Sequence, residues 1–252
     1  MTKLISFGYR CSTASFLKYG LHMKSESYPF DWLVSSLSAI RQCIESDFKE
    51  FLKIENYKQQ EMETCNIVDG VKTHIRYETM FVNTFYETNM ENTYTFGAKL
   101  ALNHKTIHND YDYYVRCIQR LHDVFASNER KVYIYMHPLM GPRDFQDHKD
   151  SLVAEYDAFH TFMQTRGKHI FGLFFILVKT NAYTEKTIVL KETKGYVVHL
   201  VHCNETLLDV GTPFENDANN ETFHAICLLL RMHIYTPYGS FLEGINWRKD
   251  IT

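Results

Sequence analysis

The sequence predicts an α/β protein, a single domain over residues 1–252 with a mainly parallel sheet flanked by helices. Three observations predict it. Apolar runs of strand length recur at LISFG (4–8), KVYIYM (131–136) and FGLFFILV (171–178), and near-continuous hydrophobic strands belong to sheets covered on both faces. Amphipathic helical stretches separate these runs, as crossovers between parallel strands require. A chain of 252 residues that is 45% hydrophobic and 15% aromatic can bury a substantial core and is not disordered.

The elements follow in order. LISFG reads as a buried strand ending in a glycine, and CSTASFLKYGL then carries apolar or small residues at 11, 14, 17 and 21, close to helical spacing. YPFDW (28–32) is an aromatic turn, expected to hold the first helix to the core with Trp32 largely covered. In SSLSAIRQCIESDFKEFL the serines suit an N-cap, and Leu37, Ile40, Ile44, Phe48 and Phe51 share one face, which predicts a helix over about 36–53. Residues 65–97 mix short β-prone pieces with Asn and Thr and yield no firm element.

Tyr114, Cys117, Ile118, Leu121, Val124 and Phe125 form a helical stripe within 111–125, and KVYIYM follows as a strand. HPLMGPRD is expected as a loop, since Pro138, Gly141 and Pro142 oppose continuation. A helix over roughly 149–166 turns Leu152, Tyr156, Phe159 and Met163 inward and leads to the strand HIFGLFFILVK. TIVLK and GYVVHLVH are a candidate antiparallel hairpin at one edge, and TFHAICLLLRMHI is a further helical run. The runs at 4–8, 131–136 and 171–178 are expected among the central strands, and the chain has no internal repeat or linker.

A net charge of -3 and a pI near 6.5 give no basic patch for nucleic acid. MTKLISFGYR lacks the features of a signal peptide, and IFGLFFILV is far short of a membrane span, so a soluble, cytoplasmic protein without membrane contact is expected. Cys11, Cys43, Cys65, Cys117, Cys203 and Cys227 show no CxxC spacing. Neither a zinc site nor a disulfide framework is indicated, and no metal or other cofactor is expected. The partner expected is a small-molecule, glycan or peptide substrate.

Ligands of open α/β sheets gather beyond the carboxyl ends of the strands. That geometry singles out Gly8 to Thr13, His137, Lys179 to Asn181 and His202. Cys11, at the start of a helix, would feel the positive end of the helix dipole, which favours thiolate; equally, it fits as a small buried residue under the turn. A nucleophilic thiol needs a base and a group to orient it. His108, flanked by Asn109 and Asp110, and His137, at the end of a strand, are the candidates among 13 histidines. The turn at Gly8, with Ser12 and Thr13, could bind an anion, although GxGxxG and the Walker pattern are absent. HCNETLLD has Asp209 where a phosphatase loop needs arginine, and HExxH and GxSxG do not occur. Asp31 reads either as an acid or orienter in the site or as a turn residue. Tyr111, Tyr113 and Tyr114 read either as core or as a stacking surface for a sugar.

The pieces ISFGYRCSTASFLKYGL, ESYPFDWL, DFKEFL, HNDYDYYVRCIQRL before KVYIYM, and the terminal NWRKDI occur together in this order. In this the chain resembles a family of uncharacterised domains described as "putative papain-like cysteine peptidase", over most of its length. The most specific parts are G-x-x-C after the first strand and S-Y-P-F-D-W about 20 residues later. The resemblance implies a cysteine-dependent hydrolase with Cys11 as nucleophile, His108 as base, and Asp110 or Asn109 as orienter. Papain-like enzymes set the cysteine at the start of a long helix packed on an antiparallel β domain, whereas the pattern of this chain predicts an α/β sheet. Two classes of function follow. One is the thiol hydrolase; the other is a non-covalent glycan-related transferase, or a nucleotide-sugar or anion-binding domain, using the same crevice.

Overall fold

The computed structural model describes residues 2–8, 12–23, 26–68, 71–87, 100–103, 107–139, 142–179, 187–203 and 217–235. In chain order the main elements are β1 (Thr2–Gly8), α1 (Ser12–Ser15), β2 (Leu33–Ser35), α2 (Leu37–Glu45), β3 (Tyr57–Val68), β4 (Val71–Asn83), β5 (Leu100–Asn103), α3 (Ile107–Ala126), β6 (Arg130–Leu139), α4 (Pro142–Gln164), β7 (Ile170–Lys179), β8 (Thr187–Glu192), β9 (Tyr196–Cys203) and α5 (Asp217–Tyr235). A π-helical turn, Phe16–Gly20, continues α1.

The main sheet has the order β1-β6-β7-β9-β8. Its first four strands run parallel, and β8 pairs antiparallel with β9, which makes the expected edge hairpin. Alternation divides the side chains between two cores. Ile5, Phe7, Tyr133, Tyr135, Phe174, Ile176, Val198 and Leu200 pack with the apolar faces of α2, α3 and α4. Leu4, Val132, Ile134, Met136, Leu173, Phe175, Val197 and Val201 pack with Phe16, Leu17 and α5. Strands buried on both faces need apolar residues at every position, which is why these runs were readable as strands.

Of residues 65–97, unassigned from sequence, 65–68 and 71–83 belong to a second, antiparallel sheet of order β2-β5-β4-β3. Strands β3 and β4 form a long hairpin in register from Tyr57↔Asn83 to Val68↔Val71, interrupted by an irregularity between Thr64 and Asn66. Met80 and Val82 of β4 join the core beneath α2, α3 and α4.

Four expectations are corrected. The helix drawn over 36–53 ends at Glu45, and Asp47 and Phe48 adopt left-handed backbone (φ 54 and 57). Phe48 and Phe51 remain buried because the chain folds back and sets their rings against Phe30 and Tyr114; a tight turn thus mimics helical spacing. HPLMGPRD is not a loop throughout, since β6 continues to Leu139 and Pro142 opens α4, where a missing N–H costs nothing. Strand β1 lies at the end of the sheet order instead of its middle. Its apolar character comes from burial under the YPFDW turn, whose Phe30 meets Phe7 with centroids 5.7 Å apart. Finally, Trp32 is 36% exposed, while Tyr28, Phe30 and Asp31 of the same turn are buried. The turn directs its phenylalanine and aspartate toward β1 and leaves the indole outside, under the Lys18 ammonium at 5.9 Å from the ring centroid.

Candidate active site

The carboxyl end of β1 is fastened from the side. Ser35, the last residue of β2, donates through Oγ to the Gly8 carbonyl at 2.7 Å, and Tyr135 Oη donates to the Ser35 carbonyl at 3.4 Å. One step down the strand, Ser6 Oγ donates to Asp31 Oδ1, and the Tyr28 N–H donates to Asp31 Oδ2 at 2.9 Å. Asp31 is 2% exposed. Its carboxylate therefore ties the YPFDW turn to β1, a use that calls for a short acidic acceptor at that position.

Beyond Gly8, Cys11 lies outside the described residues. Ser12 opens α1, with its side chain likewise outside the description. Thr13 is wholly buried, and its Oγ1 has no hydrogen-bond partner. A buried hydroxyl without a partner is costly, by about 1–3 kcal/mol, and such a group calls for an explanation.

Helix α3 carries the candidates His108 and Asp110. Its last turn feeds β6 through residues 127–129, and its stripe Tyr114, Ile118, Leu121 and Val124 packs in the core over the sheet. The helix therefore runs opposite to the parallel strands. At a rise of roughly 1.5 Å per residue it is about 30 Å long, close to the length of β6 at about 3.3 Å per residue. The direction of the helix points its first turn toward the carboxyl end of the sheet. His108 is the second residue of that turn, with its side chain outside the description. Asp110 is half-buried and departs from helical backbone (φ -119, ψ 16), so the first turn is set at an angle to the rest of the helix.

His137 sits at the same end, one residue beyond Met136, the register partner of Gly8. It is 8% exposed, and its Nδ1 pairs with Tyr156 Oη from α4 at 3.2 Å. Burial lowers its pKa to about 4, so it is neutral at pH 7 and, as it stands, a weak base. Burial likewise holds the Tyr156 hydroxyl well above the ordinary range, which keeps the phenol protonated.

Sequence reasoning missed several neighbours. Tyr156 was legible only as an inward residue of α4, and nothing in the chain announced that it partners His137. Glu155, beside it, is partly buried and raised to about 7 by burial. Ser35, read as a capping serine, instead clips β1, while Ser36 caps α2 by accepting from the Ala39 N–H at 3.1 Å. Lys179 ends β7 and His202 is the penultimate residue of β9, at the same end of the sheet, with His202 Nδ1 buried and its pKa lowered by burial. Asn181 lies outside the described residues. Tyr114 is core, Tyr113 is partly buried against it with centroids 5.2 Å apart, and Tyr111 is 44% exposed.

A parallel sheet with a cysteine just past its first strand, and histidines at the start of α3 and the end of β6, is the setting in which the family comparison has meaning. Residues 2–169 match the DUF1796 family, described as "putative papain-like cysteine peptidase". The chain belongs to this family. The match spans two thirds of the sequence and ends just before β7. No curated protein and no solved structure matches the chain. Among the described residues, no group of three or more His, Cys, Asp or Glu side chains is arranged to hold a metal ion, and no helix is long and apolar enough to cross a membrane.

Proposed function

We propose that the protein is a cysteine-dependent hydrolase in which Cys11 attacks a carbonyl carbon and His108, oriented by Asp110 or Asn109, takes the thiol proton and gives it to the leaving group as the bond from the carbonyl carbon to that group breaks; water then cleaves the thioester and restores the thiol. The observation that carries this reading is the pairing of β1 with β6, which sets Gly8 beside Met136 and so close to His137; the run of α3 toward the start of β6 supports a first turn at that same end of the sheet, where α/β proteins bind ligands. Family membership adds the thiol chemistry. His137, buried and neutral against Tyr156, serves as a support of the crevice wall. Gly8, Ser12 and Thr13 line the turn that receives the carbonyl, and the unpartnered Thr13 hydroxyl supports a polar occupant there.

The chain is read as one domain, since residues of both sheets share a single core. It is assigned to a reducing compartment such as the cytoplasm; Cys43, Cys117 and Cys227 are buried free thiols, as that assignment expects. The alternative, a non-covalent glycan-related transferase or anion-binding domain, draws on the same Thr13 hydroxyl.

Timed labelling with iodoacetamide at pH 7, read residue by residue by mass spectrometry, tests the proposal. Cys11 should react faster than an ordinary exposed thiol, and His108→Ala should slow it, because the imidazole favours the thiolate. Labelling of Cys11 at the ordinary rate, unchanged by His108→Ala, overturns the hydrolase in favour of the binding domain.

A further inference from the structure

A second pair of histidines lies on the opposite face of the sheet, between β9 and α5, beyond the residues matched to the family. His199 Nε2 and His233 Nε2 face each other at 3.3 Å, so one nitrogen donates and the other accepts. His199 is 1% exposed and stacks on Phe175 of β7, with centroids 5.2 Å apart and planes 18° apart. His233 lies over Phe171 of the same strand at 5.8 Å. From β6, Arg130 donates to the backbone carbonyls of His233 and Ile234 at 2.7 and 2.9 Å, closing the last turn of α5. A guanidinium and an imidazole–imidazole hydrogen bond thus both hold the last turn of α5 to the sheet.

We propose that the His199–His233 pair is an acid-sensitive latch, intact when both imidazoles are neutral, whose protonation releases α5 from the sheet and uncovers the apolar face beneath it. Each place for a proton is unfavourable. A proton on the accepting Nε2 sets two N–H groups against each other. One on His199 Nδ1, which is buried without a partner, makes a cation with no acceptor. Charge on His233 lies beside Arg130, which faces the pair from β6, and β7 sets the rings of Phe171 and Phe175 against the two imidazoles. Burial and these neighbours hold His199 down to about 3 and His233 to about 4, against an ordinary value of 6.5.

The sign follows from linkage. A group whose pKa is depressed in the docked state binds its proton when the helix is undocked, so docking weakens as pH falls from about 6.5 toward about 4. Between pH 7 and pH 5 each histidine multiplies the opening constant of α5 by roughly 20. The inference is independent of the thiol chemistry, because the latch shares no residue with the Cys11 site.

Hydrogen exchange of the whole protein, corrected for intrinsic rates, tests it at pH 7 and pH 5. Amides of α5 should gain exchange by roughly 400-fold relative to those of β6 and β7, the product of the two factors. His233→Gln and the His199→Asn/His233→Gln double variant should stay docked at pH 7, since an amide can keep a neutral hydrogen bond; the single variant should keep one factor of roughly 20, and the double variant should lose most of the acid dependence. If α5 and the central strands lose protection together, or if the double variant keeps the wild-type acid dependence, the latch is refuted. If His233→Gln frees α5 at pH 7, the His199→Asn single variant decides by the same acid ratio.

Discussion

His137→Gln is expected to flatten the acid side of the stability curve. His137 is buried at the end of β6 with its Nδ1 on Tyr156 Oη, and its pKa is lowered to about 4 from 6.5 by burial. The unfolded chain binds this proton below about pH 6.5 and the native chain only below about pH 4. Stability is therefore lost as pH falls through that window. The full shift corresponds to about 3.4 kcal/mol at 1.36 kcal/mol per unit, and about 2.4 kcal/mol of it falls between pH 7 and pH 4.5. The glutamine side chain cannot titrate and can still meet the Tyr156 hydroxyl. Other groups titrate equally in both proteins, so the informative quantity is the difference in pH dependence, taken from urea unfolding at the two pH values. The variant should lose about 2 kcal/mol less than the wild type on acidification. Equal losses would refute the assignment of a buried neutral imidazole. If His108 is the base, His137→Gln also leaves the iodoacetamide rate of Cys11 unchanged at pH 7.

Three further substitutions test the framework around the site. Asp31→Ala removes the carboxylate that accepts from the buried Ser6 hydroxyl and from the Tyr28 N–H, and should cost about 3 kcal/mol in urea unfolding, since hydrogen bonds to a charged group exceed neutral ones. Gly172→Ala puts a Cβ 2.4 Å from Tyr133 Oη and 2.6 Å from its Cζ, on a ring that is fully buried and bonded to His160 Nδ1; overpacking should cost about 1–3 kcal/mol, and much less in a Tyr133→Ala background. Lys131→Met leaves the carbonyls of Ser127, Glu129 and Lys168 without the ammonium that meets them at 2.7 to 3.1 Å, so thermal unfolding should shift down by several degrees despite the apolar replacement.

The parallel strands were legible because burial on both faces leaves an uninterrupted apolar run, and TIVLK–GYVVHLVH because a short polar connection separates two such runs. The second sheet was not. YKQQEMETCN of β3 is polar at most positions, as an outer strand paired on one side can be, and no periodicity distinguishes it from a loop. Trp32 misled for a related reason: YPFDW reveals that the turn is aromatic, but which ring meets Phe7 depends on the path of the turn over β1. Sequence spacing placed Gly8, Cys11 and His137 at strand ends and so at one end of the sheet. It could not reveal that β6 is the neighbour of β1, which brings His137 beside Gly8, nor that Tyr156 would cross from α4 to meet that histidine.

The family description and the architecture point in different directions, and the difference is informative. Papain-like chemistry needs a thiol, an imidazole and an orienting group, in a setting that favours the thiolate; it does not need a particular fold. Here the cysteine follows a parallel strand at the end of its sheet, and the helix after it is four residues long before it widens into a π-turn. So short a helix supplies little of the dipole that a long papain-like helix would give a thiolate, since the macrodipole sums over aligned peptide units. If Cys11 is activated, most of the stabilisation must then come from a side chain. His108, the base of the proposed mechanism, lies in the first turn of α3. On this scaffold, then, His108→Ala should cost more of the thiol's reactivity than any change to the α1 turn, and a result in the opposite order would return the activation to the turn itself.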